Sequence, residues 1–221
     1  MWSNAMKILT FLAFSILASP LFAKDWEKEI TAMEAKAEKA EHAKDGYLFV
    51  GSSSIRMWDL KKSFPELATI NHGFGGSELS DSLQFADRIV IPFQPKVVFL
   101  YAGDNDIGNG KSAEVVVKDF VTFAARLRAA LPETQVVFLP IKPSLKRWTL
   151  WPEMKKANLE IEMFTKTMDH LHYLDTATPM LGADGKPMAD LFKSDGLHMT
   201  EKGYALWNKV VAGWAASRKS S

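Results

Sequence analysis

Five short apolar runs, separated by stretches of helical pattern, constrain the fold of this chain more than any other feature of the sequence. They are Tyr47–Val50, Ala68–Asn71, Lys96–Tyr101, Gln135–Pro140 and His172–Leu174. Helical periodicity fills about Leu79–Val90, Ser112–Leu131, Pro152–Leu171 and Glu201–Ala216. A stretch rich in Ala, Glu and Lys, from Asp25 to about Lys44, predicts a surface helix with Ile30, Met33 and Ala37 facing the core. Thr200 suits an N-cap for the last helix, and Pro132 a stop after Leu131. Strands that are apolar along their whole length belong to a sheet buried on both faces, and intervening helices make that sheet parallel. The expected fold is α/β: a three-layer α/β/α sandwich around a doubly wound parallel sheet. Ligands bind such sheets beyond the carboxyl ends of the strands. The loops that matter are therefore Gly51–Ser54, Gly73–Ser77, Ala102–Lys111, Lys142–Trp151 and the segment leading to His198.

Composition narrows the function classes. Hydrophobic residues make up 47% of the 221 and charged residues 24%, enough for a real core in one domain. A formal net charge of +1 gives no field that would draw nucleic acid. There is no cysteine, which removes disulfides, thiolate catalysis and cysteine-based metal sites. At the start of the chain, Lys7 precedes the apolar run Ile8–Ala18, followed by Ser19, Pro20 and the small residue Ala23. That run is too short to span a bilayer, and its order matches an export signal. An uncleaved anchor or a buried helix is the alternative, and Met6 competes with Met1 as the start. The expected division is a signal at 1–23 and a single domain at 24–221, exported to the periplasm or medium without stable membrane insertion.

Several loops carry residues able to do chemistry. Gly51-Ser52-Ser53-Ser54 follows a strand and precedes a probable helix, where backbone N–H groups can receive a developing oxyanion. Small residues there equally suit a plain turn and N-cap, and Ile55 breaks the Gly-x-Ser-x-Gly nucleophile elbow. Gly73-Phe74-Gly75-Gly76-Ser77 falls short of a dinucleotide fingerprint because Glu78 stands where the third glycine belongs. Gly108-Asn109-Gly110-Lys111-Ser112 imitates a phosphate loop, but Asn105 occupies the position of its first glycine. Asn105 itself offers an amide donor. Asp195-Gly196-Leu197-His198 sets a carboxylate three residues before an imidazole, a spacing that orients the ring and fixes its tautomer. His42, His72, His170 and His172 have no such setting and read as surface or core residues. A metal site at Asp195 and His198 lacks a third ligand of suitable spacing.

Taken together, these loops resemble the conserved blocks of the SGNH (GDSL-like) hydrolases, from about Tyr47 to Tyr204. Phe49-Val50-Gly51-Ser52-Ser53-Ser54-Ile55-Arg56 matches the first block, with the family's nucleophile on Ser53. The second block's oxyanion glycine falls on Gly76, the third block's asparagine on Asn105 within Gly103–Asp106, and the fifth block on Asp195 to His198. Ser52 and Ser54 depart from the family's aspartate and leucine, and are expected to support the turn.

The resemblance implies a flavodoxin-like sandwich and a serine esterase with the catalytic residues Ser53, His198 and Asp195. Its oxyanion hole is expected from Ser53, Gly76 and Asn105, with no metal or cofactor. Activity should rise as the histidine becomes neutral, near an ordinary value of about 6.5 shifted by its carboxylate. The expected substrates are short-chain or acetyl esters, including acetylated carbohydrate. Trp148 and Trp151 are candidate substrate-binding residues, or else caps on the core. Lys142, Lys146 and Arg147 either hold an anionic group or are simply solvated. The competing class is a non-catalytic carbohydrate- or lipid-binding module on the same fold.

Overall fold

A computed structural model of the chain describes residues 25–37 and 46–218. The expected signal at 1–23, His42 and the end of the first predicted helix lie outside those residues. The strands are β1 (Tyr47–Gly51), β2 (Thr69–Gly73), β3 (Val97–Tyr101), β4 (Gln135–Phe138) and β5 (Leu171–Tyr173). They form one sheet in the order β2-β1-β3-β4-β5, parallel throughout. The helices are α1 (Glu27–Ala37), α2 (Ser53–Arg56), α3 (Leu60–Ser63), α4 (Leu79–Gln84), α5 (Ala86–Ile89), α6 (Asp104–Gly108), α7 (Ala113–Ala130), α8 (Trp151–Thr165) and α9 (Glu201–Ser217).

Two cores follow from the pleat of the strands. Leu48, Val50, Val98, Leu100, Val136 and Phe138 point to one face, under α1, α4, α5, α7 and α8. Phe49, Val97, Phe99, Tyr101, Val137 and Leu139 point to the other, under α2, α3 and α9. Each central strand is therefore apolar at successive positions because each face needs its own core, which gives the expected three-layer sandwich. Phe49 stacks on Phe99 at 4.6 Å, and Tyr101 packs on Trp207 of α9 at 5.0 Å. The weakest apolar run of the sequence became β2, an edge strand half-exposed over its first three residues.

Strand ends shift by one or two residues, and two predicted helices depart further. The helix predicted over Leu79–Val90 is broken at Phe85, whose ψ of 3° ends α4 and begins α5. The helix predicted to run on to Leu171 stops at Thr165, because Leu171 pairs with Val136 as the first residue of β5. Thr200 caps α9 as expected, its hydroxyl accepting from the Gly203 N–H at 3.3 Å.

The strand order reverses between β1 and β3. The chain leaves β1 toward β2 on one side and returns to β3 on the other, opening a crevice beyond their carboxyl ends. The serine loop and the Gly103–Gly108 segment both start there.

Candidate active site

Gly51 closes β1 with φ at +133°, and a Cβ on it would lie 1.9 Å from the Tyr101 carbonyl oxygen. Only glycine lets the serine loop cross the end of β3 so closely. Ser52 then donates its N–H to that same carbonyl at 3.1 Å, and the single turn of α2 begins at Ser53. The three serines separate here. Ser52 is buried and supports the turn through its backbone, its carbonyl accepting the Ile55 and Arg56 N–H groups at 3.0 and 3.1 Å, while its hydroxyl has no hydrogen-bond partner among the described residues. Ser54 is buried with its hydroxyl 3.2 Å from Lys142 Nζ. Ser53 is half-exposed, and its Oγ lies 3.1 Å from His198 Nε2.

The other nitrogen of that ring, Nδ1, lies 2.5 Å from Asp195 Oδ2. Asp195 Oδ1 accepts the backbone N–H groups of Leu197 and His198, both at 2.9 Å. The carboxylate is thus clamped by its own loop before it touches the imidazole. The His198 contact, with those two N–H groups, holds the Asp195 carboxyl well below the usual carboxylate range. An ionised acceptor at Nδ1 leaves Nε2 as the lone-pair nitrogen facing the serine.

Gly76 lies in the turn after β2, and Asn105 in the first turn of α6. The Gly73–Ser77 turn is held by Phe74 N–H to Gly51 O at 2.9 Å, and by the Trp26 indole N–H to Gly75 O at 3.2 Å. Asn71 ties this turn to the serine loop. Its amide donates to Ile55 O at 2.7 Å, and its oxygen accepts from Gly73 N–H at 2.9 Å. Asn105 Nδ2 donates to Ser77 O at 2.9 Å, so the asparagine and the glycine turn are joined directly. Asp106, fully buried, accepts the Leu79 N–H at 3.0 Å. Burial pushes its carboxyl up to about 6, with Lys111 and the Leu79 N–H pulling the other way.

The decoys resolve physically. Lys111 pairs with Glu78 at 2.9 Å, Asp106 at 3.2 Å and Asp119 at 3.7 Å, which commits the amine of the phosphate-loop look-alike. His72 is buried against Ile89 O, and His170 and His172 both contact Gln135. Among the described residues no three His, Asp or Glu side chains are grouped as a metal would need. Trp148 and Trp151 stack on each other at 6.0 Å and 17°, both half-buried, with Trp151 partly on the core.

The sequence reading missed a buried charge cluster beside Asn105. Lys142, expected to be solvated or to hold an anion, is 1% exposed and donates to Tyr101 OH at 3.0 Å and Asp104 Oδ2 at 3.2 Å. Arg147 reaches Asp104 Oδ2 and Asn105 Oδ1 at 3.2 and 3.0 Å. Burial works to raise the Asp104 carboxyl, but Lys142 and Arg147 outweigh it and hold it below its ordinary value. The one available signal was position: Lys142 stands just past a strand's carboxyl end.

Comparisons with known proteins bear on the fold and the family. Comparison with curated protein sequences gives no match. Among solved structures, a Bacteroides thetaiotaomicron GDSL-like lipase is 19% identical with a TM-score of 0.75, over 89% of this chain and 98% of that one. A Streptococcus pneumonia protein provisionally described as a platelet activating factor is 18% identical with a TM-score of 0.78, over 86% and 92%. A family 3 carbohydrate esterase from Talaromyces cellulolyticus is 16% identical with a TM-score of 0.61, over 77% and 96%. At these identities the likeness is one of fold. The model of the GDSL-like Lipase/Acylhydrolase family matches residues 52–206, from the serine loop into α9. The chain belongs to that family, the SGNH hydrolases, and is a hydrolase of its general kind.

Proposed function

We propose that the chain is an exported serine esterase that removes short acyl groups, acetyl foremost, from carbohydrate alcohols. The observation that carries the reading is the line of contacts from Ser53 Oγ through His198 to Asp195, at 3.1 and 2.5 Å. Neutral His198 takes the Ser53 proton at Nε2 as Oγ forms a bond to the ester carbonyl carbon. The carbonyl electron pair moves to oxygen, where the backbone N–H groups of Ser53 and Gly76 and the Asn105 amide receive it. Asn105 Nδ2 has two hydrogens, and Ser77 O engages one of them. Collapse of the tetrahedral intermediate expels the alcohol, which leaves with the proton from His198. Water then repeats the sequence on the acyl-enzyme and restores Ser53.

The carbohydrate part of the reading draws on the stacked Trp148–Trp151 pair, since flat aromatic faces suit sugar rings, and on the likeness to a carbohydrate esterase. The export part draws on the basic start, apolar run and small-residue exit before Lys24. The test is labelling by a fluorophosphonate probe, beside hydrolysis of p-nitrophenyl esters from acetyl to octanoyl and of an acetylated xylose. Wild type should label, Ser53→Ala should not, and its kcat should fall on the order of 10⁴-fold or more. Acetyl should exceed octanoyl by about tenfold or more in kcat/KM, the discrimination a pocket reaches through a few methylenes. Labelling retained in Ser53→Ala would remove the assignment, and an unlabelled, inert wild type would favour a binding module.

A further inference from the structure

Three charged side chains lie beside Asn105, and their count is unbalanced. Lys142 and Arg147 both approach the same Asp104 oxygen, at 3.2 Å each. Two cationic side chains thus share one carboxylate, leaving a positive charge in excess where side-chain exposure is 1% for Lys142, 6% for Asp104 and 17% for Arg147. An uncompensated buried charge is costly, and a buried ion pair is weak evidence that stability is its purpose. A site that must accept a transient negative charge has a use for such an excess.

The geometry directs that excess at Asn105. Arg147 Nη2 donates to Asn105 Oδ1 at 3.0 Å, while Asn105 Nδ2 donates to Ser77 O. A cation on one end of the amide and a carbonyl on the other exclude the flipped orientation, so the nitrogen is held toward the glycine turn. The guanidinium also draws electron density into Oδ1 and makes the Nδ2 hydrogens better donors. Space is reserved for this arrangement. A Cβ on Gly108 would lie 2.8 Å from Arg147 Cζ, so the guanidinium rests directly on the α6 backbone. The loop bearing Arg147 is in turn tied to the histidine loop, because the Lys146 N–H donates to Gly196 O at 2.9 Å.

We infer that Arg147 is a positioning residue for acyl transfer, acting through Asn105 to orient and charge the oxyanion hole. The inference rests on the esterase reading above and adds a residue to it. It predicts that Arg147 matters when the oxyanion forms and little when substrate binds. The experiment compares Arg147→Gln, Arg147→Lys, Asn105→Ala and the Asn105→Ala/Arg147→Gln double variant on p-nitrophenyl acetate. Folding is monitored by thermal denaturation, and affinity for a boronic acid that becomes tetrahedral on the serine is measured alongside. In Arg147→Gln, kcat should fall about 10–100-fold, somewhat less than loss of an oxyanion donor itself, with KM changed by less than about threefold. Boronate affinity should fall in parallel, and Arg147→Lys should recover part of both. In the Asn105→Ala background the Arg147 change should add little, since the two act as one unit.

Additive effects, a change confined to KM, or wild-type kcat in Arg147→Gln would overturn the inference. Should Arg147→Gln fail to fold, Arg147→Lys carries the same kcat, KM and boronate tests. Fluorophosphonate labelling keeps the two readings apart. A wild type that labels beside a fully active Arg147→Gln defeats this inference alone, whereas a wild type that neither labels nor turns over defeats both.

Discussion

Burial at the nucleophile loop sorts three identical side chains into three roles. The Ser52 hydroxyl meets no hydrogen-bond partner among the described residues, that of Ser54 meets a lysine, and that of Ser53 meets the imidazole. Asp106, buried in α6 next to Asn105, shows what a buried carboxylate costs here. Its folded value of about 6 lies above the ordinary aspartate value of about 3.9. Between those two values the folded protein binds the proton more tightly than the unfolded chain, so stability falls as pH rises through that window. Relative to Asp106→Asn, wild type should lose on the order of 3 kcal/mol between about pH 4 and pH 6, and hold level above it. Urea denaturation of both proteins at intervals across that range checks this, and parallel pH profiles would contradict it. The candidate residues Ser53, Asp195 and His198, which the fold brings together, each stand in a short motif that the sequence alone displays. Arg147 was not legible in this way, because its partners Asp104 and Asn105 are brought to it only by packing.

Among the elements, α8 has a role that its amphipathic pattern conceals. Asn158, buried within it, accepts from the Ile141 N–H at 2.8 Å and donates to the Ile141 carbonyl at 2.9 Å. It thereby satisfies both backbone groups of the residue preceding Lys142, just beyond β4, where no strand partner is available. Asn158→Leu keeps the volume but leaves two buried backbone groups unpaired, which should cost about 2–4 kcal/mol. Chemical denaturation measures it, and a loss below about 1 kcal/mol would mean the loop finds other partners. Strand placement was legible from apolar runs because both sheet faces are buried. The break at Phe85 was not, since the periodicity of Leu79–Val90 continues across α4 and α5 while the backbone does not.

For the whole molecule, the two cores enclose a sheet, and the candidate-site segments after β1, β2 and β3 lie at its carboxyl end. Among the described residues no helix is long and apolar enough to cross a membrane. The first described segment is already engaged in the fold. Trp26 reaches the Gly75 carbonyl and packs on Phe74 at 5.4 Å, while Arg88 of α5 bridges Glu27 and Glu34 of α1. If the export reading holds, protein recovered from periplasm or medium begins at Lys24 by N-terminal sequencing. A chain produced from Lys24 should then match its kcat and melting temperature. Recovery only of cytosolic protein that retains Met1 or Met6 would overturn the export proposal.

Ser53 and His198 are 145 residues apart. The histidine stands just ahead of α9, and that last helix supplies Trp207 beneath Tyr101 and the Tyr204 hydroxyl that donates to Ser54 O at 2.9 Å. During synthesis the serine loop therefore leaves the ribosome long before the imidazole it meets in the fold, and that imidazole before α9. A chain that stops short of His198 cannot assemble the Ser53–His198 contact. Under the proposed function, activity should therefore appear only after His198 and α9 have both been made.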